Sequence, residues 1–161
     1  MSNFPTLLDE INQLARDARS VLALQQGMLE TIARSLSYYN WIGFYMLDRE
    51  DSSILVLGPF YGEPTPHERI PVTQGICGAA VRHNETIIVE NIASDPRYLS
   101  CSLGTKSEIV APIRASGCVV GEIDVDSDRL NAFQLEDREF LEKCAEIVGQ
   151  FLDRTEKSDL N

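Results

Sequence analysis

The chain has 161 residues, 43% of them apolar and 24% charged, with a formal net charge of -11, which suits one domain with a sizeable core spanning the whole chain. That charge argues against nucleic acid or an anionic membrane as partner, because both need basic patches. No run approaches the ~18 apolar residues of a membrane span, and the start MSNFPTLLDEINQL lacks the basic start and apolar core of a signal peptide, so a cytoplasmic protein is expected.

In chain order, residues 5 to 38 predict helix in two pieces broken near Ala18-Arg19-Ser20. In the second piece Val21, Leu22, Leu24, Met28, Leu29, Ile32 and Leu36 recur at near-helical spacing and mark one buried stripe. WIGFYML then predicts a strand, the polar turn Asp48 to Ser53 closes it, and ILVLGPFYG is its hairpin partner. GEPTPHERIP, with three prolines, carries no long regular element and is a candidate lid or pocket wall. Gly75-Ile76-Cys77-Gly78 opens a short helix ending at His83, and Thr86 to Glu90 predicts a strand. Asn91 to Gly104 is a long irregular connection. A hairpin follows that turns at Ala115-Ser116-Gly117, and a last helix runs from about Gln134 to Arg154. Helices at the chain ends around an antiparallel sheet give an α+β domain, with the N- and C-terminal helices packed on one face.

The chemistry concentrates between Cys101 and Asp128. Strand side chains alternate faces, so Asp124 and Asp126 point one way while Ile123 and Val125 point the other. If Ile109 to Ile113 pairs with Val119 to Ile123, Glu108 lies near the same end of the hairpin as the aspartates. Repelling acids are costly unless something cationic fills the gap. The rim therefore predicts a pocket for a small molecule bearing an ammonium group. Trp41 and Tyr45 are four apart in one strand and share a side with Gly43, which leaves room for a small group between aromatics.

The four cysteines, Cys77, Cys101, Cys118 and Cys144, form no CxxC pair, and no metal or cofactor is expected. The run D-V-D-S-D starts like a calcium loop, but Arg129 stands where that loop needs Gly and Leu135 where it needs Glu. In a reducing cytosol the cysteines are either small buried hydrophobes or reactive thiols. Packing accounts for Cys118 and Cys144. For Cys77 packing and a resolving role are level, and Cys101 alone reads as an ordinary loop cysteine.

The segments N-W-I-G-F-Y (40–45), L-V-L-G-P-F-Y-G (55–62), R-I-P-V-T-Q-G-I-C-G-A-A (69–80), S-E-I-V-A-P-I (107–113) and G-E-I-D-V-D-S (121–127) resemble a GAF domain over about residues 20 to 152. Within that superfamily they resemble the free methionine-(R)-sulfoxide reductases. The resemblance implies that Cys101 attacks the sulfoxide, that Cys77 is the candidate resolving thiol, and that Glu108, Asp124 and Asp126 hold the amino-acid substrate. It further implies that Trp41 and Tyr45 wall the S-methyl group, that the disulfide formed in turnover is recycled by thioredoxin, and that the protein is a homodimer. The stripes of the terminal helices would equally cover a monomer's own sheet. Two departures stand out: His67 occupies the place of a third family cysteine, and the family's C-D-A-A-S-N-S-E is here C-S-L-G-T-K-S-E. A non-catalytic GAF module that binds a small ligand is the alternative reading.

Overall fold

The computed structural model describes residues 3–99 and 104–159. Local sequence sets the helix ends. Helix α1 (Phe4–Asp17) starts behind Asn3 with a proline in its first turn, and α2 (Val21–Ser35) starts where the Ser20 hydroxyl accepts a hydrogen bond from the Ala23 amide at 3.1 Å. Strands β1 (Trp41–Leu47) and β2 (Ile54–Tyr61) form the first hairpin. The proline-rich segment supplies only the short strand β3 (Arg69–Pro71). Helix α3 (Gly75–His83) ends on Asn84 in the left-handed conformation, and β4 (Ile87–Val89) follows.

Strands β5 (Ser107–Ala115) and β6 (Cys118–Ser127) pair along their whole length. They are joined by Ser116 and Gly117, both at positive φ, as a two-residue hairpin turn demands. Helix α4 (Leu135–Asp159) closes the chain. Its start is tied to the connection between α2 and β1 by Asp137, a buried carboxylate that accepts from the Tyr38 hydroxyl (2.5 Å), the Tyr39 hydroxyl (2.8 Å) and the Gln134 amide (2.8 Å).

The six strands lie in the order β3-β2-β1-β6-β5-β4, every neighbouring pair antiparallel. The two faces differ. One carries Ile42, Phe44, Ile109, Ala111, Ile113, Ile123 and Val125 and packs under α1, α2 and α4. The apolar stripes of those helices, including Leu24, Met28 and Ile32 of α2 and Phe140, Cys144 and Val148 of α4, are buried within this one chain. The α+β arrangement with both terminal helical segments on one face is therefore as the sequence predicts. The other face is covered by α3 and the connections beside it, through Ile76, Cys77 and Ala80. No helix among the described residues is long and apolar enough to cross a membrane.

Candidate active site

The face under α3 holds the site, and the strand register lays it out in three rows. Trp41, Asp126 and Glu108 are neighbours across β1, β6 and β5; Gly43, Asp124 and Val110 form the next row; Tyr45, Glu122 and Pro112 form the third. Alternation thus aligns Asp126, Asp124 and Glu122 as a column of acids along β6, with aromatic side chains on the β1 side. Glu108 stands opposite Asp126 on β5. All four carboxyl groups are buried: Asp126 is 2% exposed, Glu108 4%, and Asp124 and Glu122 0%.

Helix α3 crosses above the column and lowers Cys77 onto it. The Cys77 thiol donates to Asp124 Oδ2 at 3.5 Å. One oxygen each of Glu108 and Asp124 and the Cys77 sulfur lie within 4.8 Å of one another. Burial is the main cause that pushes the Cys77 thiol well above its ordinary pKa, and the charges of Asp124, Glu122 and Glu108 push it the same way. The thiol is therefore held neutral.

The acids obey the same physics. Loss of water raises Asp124 to about 6 and drives Glu108, Glu122 and Asp126 well above the usual carboxylate range. Glu108 is pushed further by Asp124 and Asp126, its like-charged neighbours. Both oxygens of Glu122, both of Asp126 and Oδ1 of Asp124 have no hydrogen-bond partner among the described residues. A buried carboxylate without a partner must take a proton or a cation. Among the described residues Arg97 is a basic side chain whose field reaches Glu108, and its guanidinium is already clamped by Asp95 at 3.0 and 2.7 Å. The site is thus a proton-holding, cation-seeking cluster.

The aromatic wall is also a tether. Trp41 Nε1 donates to the Glu63 carbonyl at 3.0 Å, and the Tyr45 hydroxyl donates to the His67 carbonyl at 2.7 Å. Both bonds pin the proline-rich segment over the sheet as the predicted pocket wall. Gly62 begins that segment at a φ of +121°, where a Cβ would meet Trp41 Cδ1 at 2.7 Å and the Asn40 carbonyl at 2.9 Å. Gly43 departs from expectation. The space above it is filled by the Trp41 indole, which a Cβ at that position would strike, so the glycine seats the tryptophan and leaves no empty notch. The Trp41 ring lies 6.2 Å from that of Tyr45 and stacks on Phe60 at 5.8 Å.

A cavity of about 180 Å³ opens at the Asp126 end of the column, lined by Asn40, Trp41, Glu63, Thr105, Asp126 and Asp128 among others. The larger hollow beside Tyr38, Arg129 and Glu136 does not reach the acid column.

Of the predicted site residues, Cys77, Glu108, Asp124, Asp126, Trp41 and Tyr45 converge on this one face. Cys101 lies outside the described residues. Sequence reasoning passed over Glu122, although the alternation Glu122-Ile123-Asp124-Val125-Asp126 carries it onto the acidic face at the same two-residue step.

The comparisons with known proteins agree with this architecture. The GAF domain family matches residues 3–152. The chain is 34% identical over 150 residues to Protein YtsP of Bacillus subtilis, covering 93% of this chain and 91% of that protein. It is 33% identical over 150 residues to the free methionine-R-sulfoxide reductase of Escherichia coli, covering 89% and 88%. The crystal structure of the free methionine-R-sulfoxide reductase of Neisseria meningitidis in complex with its substrate superposes with a TM-score of 0.90 at 28% identity, over 96% of this chain and 91% of that one. With the sheet order, the covering helix and the acidic column in place, the chain belongs to the GAF domain family, and within it to the free methionine-R-sulfoxide reductase family.

Proposed function

We propose that this protein is an oxidoreductase that reduces free L-methionine-(R)-S-oxide to methionine. The observation that carries the proposal is the buried set Glu108, Asp124 and Asp126 beside the Cys77 thiol and under the Trp41–Tyr45 wall. A free amino acid brings an ammonium group, which supplies the positive charge these acids lack. Its S-methyl end is small and apolar, which suits an aromatic wall.

In this reading Cys101 is the nucleophile and its sulfur attacks the sulfoxide sulfur. Glu108 or Asp126, protonated because burial has raised its pKa, gives its proton to the departing oxygen. The protonated oxygen passes from the substrate sulfur to the Cys101 sulfur as the transient sulfur–sulfur bond breaks; the substrate sulfur keeps that electron pair and leaves as the thioether, and Cys101, oxidised by two electrons, becomes a sulfenic acid. The Cys77 thiol then condenses with that sulfenic acid, releasing water and leaving a disulfide that thioredoxin reduces. The bound ammonium has a second effect: by offsetting the acids it eases thiolate formation in their neighbourhood.

The test is purified protein with free methionine-(R)-S-oxide and dithiothreitol, wild type beside Cys101→Ser. Methionine is expected from wild type and none from the variant. No methionine from wild type would overturn the proposal and leave a ligand-binding GAF module.

A further inference from the structure

Spacing along the chain excludes a zinc motif, yet folding brings three ligand-type side chains from three elements to one point. The Cys77 sulfur from α3, a Glu108 oxygen from β5 and an Asp124 oxygen from β6 lie within 4.8 Å of one another. All three side chains are more than nine-tenths buried. Glu122 is a neighbouring carboxyl outside that set. It sits two residues from Asp124 on the same face of β6, is 0% exposed, and neither of its oxygens has a hydrogen-bond partner among the described residues. Its charge pushes the Cys77 thiol in the same direction as those of Asp124 and Glu108.

The substrate ammonium carries one positive charge, and four carboxyl groups converge here. The donor set says which other cation would suit them. A thiolate with carboxylates selects a borderline-soft divalent ion of the zinc class, with metal–sulfur bonds near ~2.3 Å and metal–oxygen bonds of ~2.0–2.2 Å. In a tetrahedron built from those bonds the ligand atoms stand roughly 3.4–3.8 Å apart, so the three atoms, now within 4.8 Å of one another, would draw together by up to about 1 Å. Magnesium and calcium prefer oxygen ligands throughout and gain nothing from the sulfur.

We propose that Cys77, Glu108 and Asp124 form a binding site for one zinc-class divalent cation, with Glu122 as the outer carboxyl that supports it. On binding, the Cys77 S–H bond breaks, its proton goes to solvent and a sulfur–metal bond forms, with no change of oxidation state. The cation takes Glu108 and Asp124 from the substrate ammonium and occupies the thiol, so metal and substrate exclude each other; that second consequence rests on the proposed reductase function.

The probe is cadmium. Reduced, chelator-treated protein titrated with Cd²⁺ under anaerobic conditions is expected to develop thiolate-to-metal charge-transfer absorption that saturates at one ion per chain. Zn²⁺ should displace it, and free methionine should weaken the apparent affinity. Cys77→Ser is expected to abolish the absorption, Glu122→Gln to weaken binding about 10–100-fold, and Cys118→Ser to leave it unchanged. Full absorption in Cys77→Ser, or wild-type affinity in Glu122→Gln, would overturn the site. Circular dichroism checks each variant's fold; if Cys77→Ser does not fold, the Glu122→Gln titration decides. The same chelated protein is assayed for sulfoxide reduction. Reduction without cadmium binding would remove only this inference, and cadmium binding without reduction would remove only the reductase reading.

Discussion

Cys77 Sγ stands 3.5 Å from Asp124 Oδ2, joining the first turn of α3 to the middle of β6. A cysteine in the first turn of a helix normally has a depressed pKa, because the helix N-terminus favours the thiolate. Here burial and the three nearby acids win, and the thiol is pushed up. If Asp124 is a real contributor, Asp124→Asn will lower the thiol pKa. Alkylation of Cys77 by a small reagent at about pH 7.5 should then accelerate severalfold, read by mass spectrometry of the Cys77 peptide. An unchanged rate would show that Asp124 contributes nothing to the shift of the thiol.

Neither oxygen of Glu122 has a hydrogen-bond partner among the described residues, so its burial costs free energy in the ligand-free protein. Glu122→Leu, which fills a similar volume without a charge, is expected to raise stability at neutral pH by about 1–3 kcal/mol. Denaturant unfolding of the ligand-free protein measures this. A destabilised variant would mean that the carboxyl is satisfied in solution.

The acid column also fixes the sign of the pH dependence. Burial raises Asp124 to about 6 and Glu108, Glu122 and Asp126 further, whereas unfolded carboxyls titrate near ~4. Between those values the folded chain holds more protons than the unfolded one, so stability falls as pH rises through the window. The lowered pKa values of the surface groups Asp48, Asp51 and Asp95 act in the opposite sense, at pH below that window. The ligand-free protein should therefore unfold at a higher temperature at about pH 5.5 than at about pH 7.5. The reverse order would contradict the buried, proton-holding column.

Gly149 of α4 faces β5 so closely that a Cβ there would collide with the Arg114 carbonyl oxygen. Gly→Ala inside a helix ordinarily stabilises by about 1 kcal/mol. At this position the helix would have to move off the sheet, an overpacking cost of about 1–3 kcal/mol. Gly149→Ala is expected to lower the thermal midpoint, as calorimetry would record.

Trp41 acts on the pocket through two features, its ring over Gly43 and its N–H on the Glu63 carbonyl. Trp41→Phe keeps an aromatic ring and removes the tether. In the proposed reaction this should raise KM for the sulfoxide severalfold while changing kcat little, because the lid is loosened and the reacting groups are not touched. Equal losses in kcat and kcat/KM would assign Trp41 to the chemistry itself.

Much of this site was legible before folding. Alternation put Asp124 and Asp126 on one face, the turn at Ser116-Gly117 set the hairpin, and pairing brought Glu108 opposite Asp126. The same alternation carries Glu122 onto that face, but its bearing on the site depends on α3 seating Cys77 over the middle of β6. The contact between Cys77 and Asp124 was not legible, because the seat of a helix on a sheet is a tertiary relation that no local pattern encodes. Nor was the role of Gly43: a glycine between aromatics reads as vacant space until the rotamer of its neighbour is known, and the Trp41 indole takes that space.

The most direct test is a single turnover without reductant. Reduced protein is mixed with an equal amount of free methionine-(R)-S-oxide, methionine is quantified, and the cysteine peptides are mapped. The account predicts close to one methionine per chain and a disulfide between Cys77 and Cys101. No methionine, or methionine formed with Cys77 still a free thiol and Cys101 linked elsewhere, would contradict it.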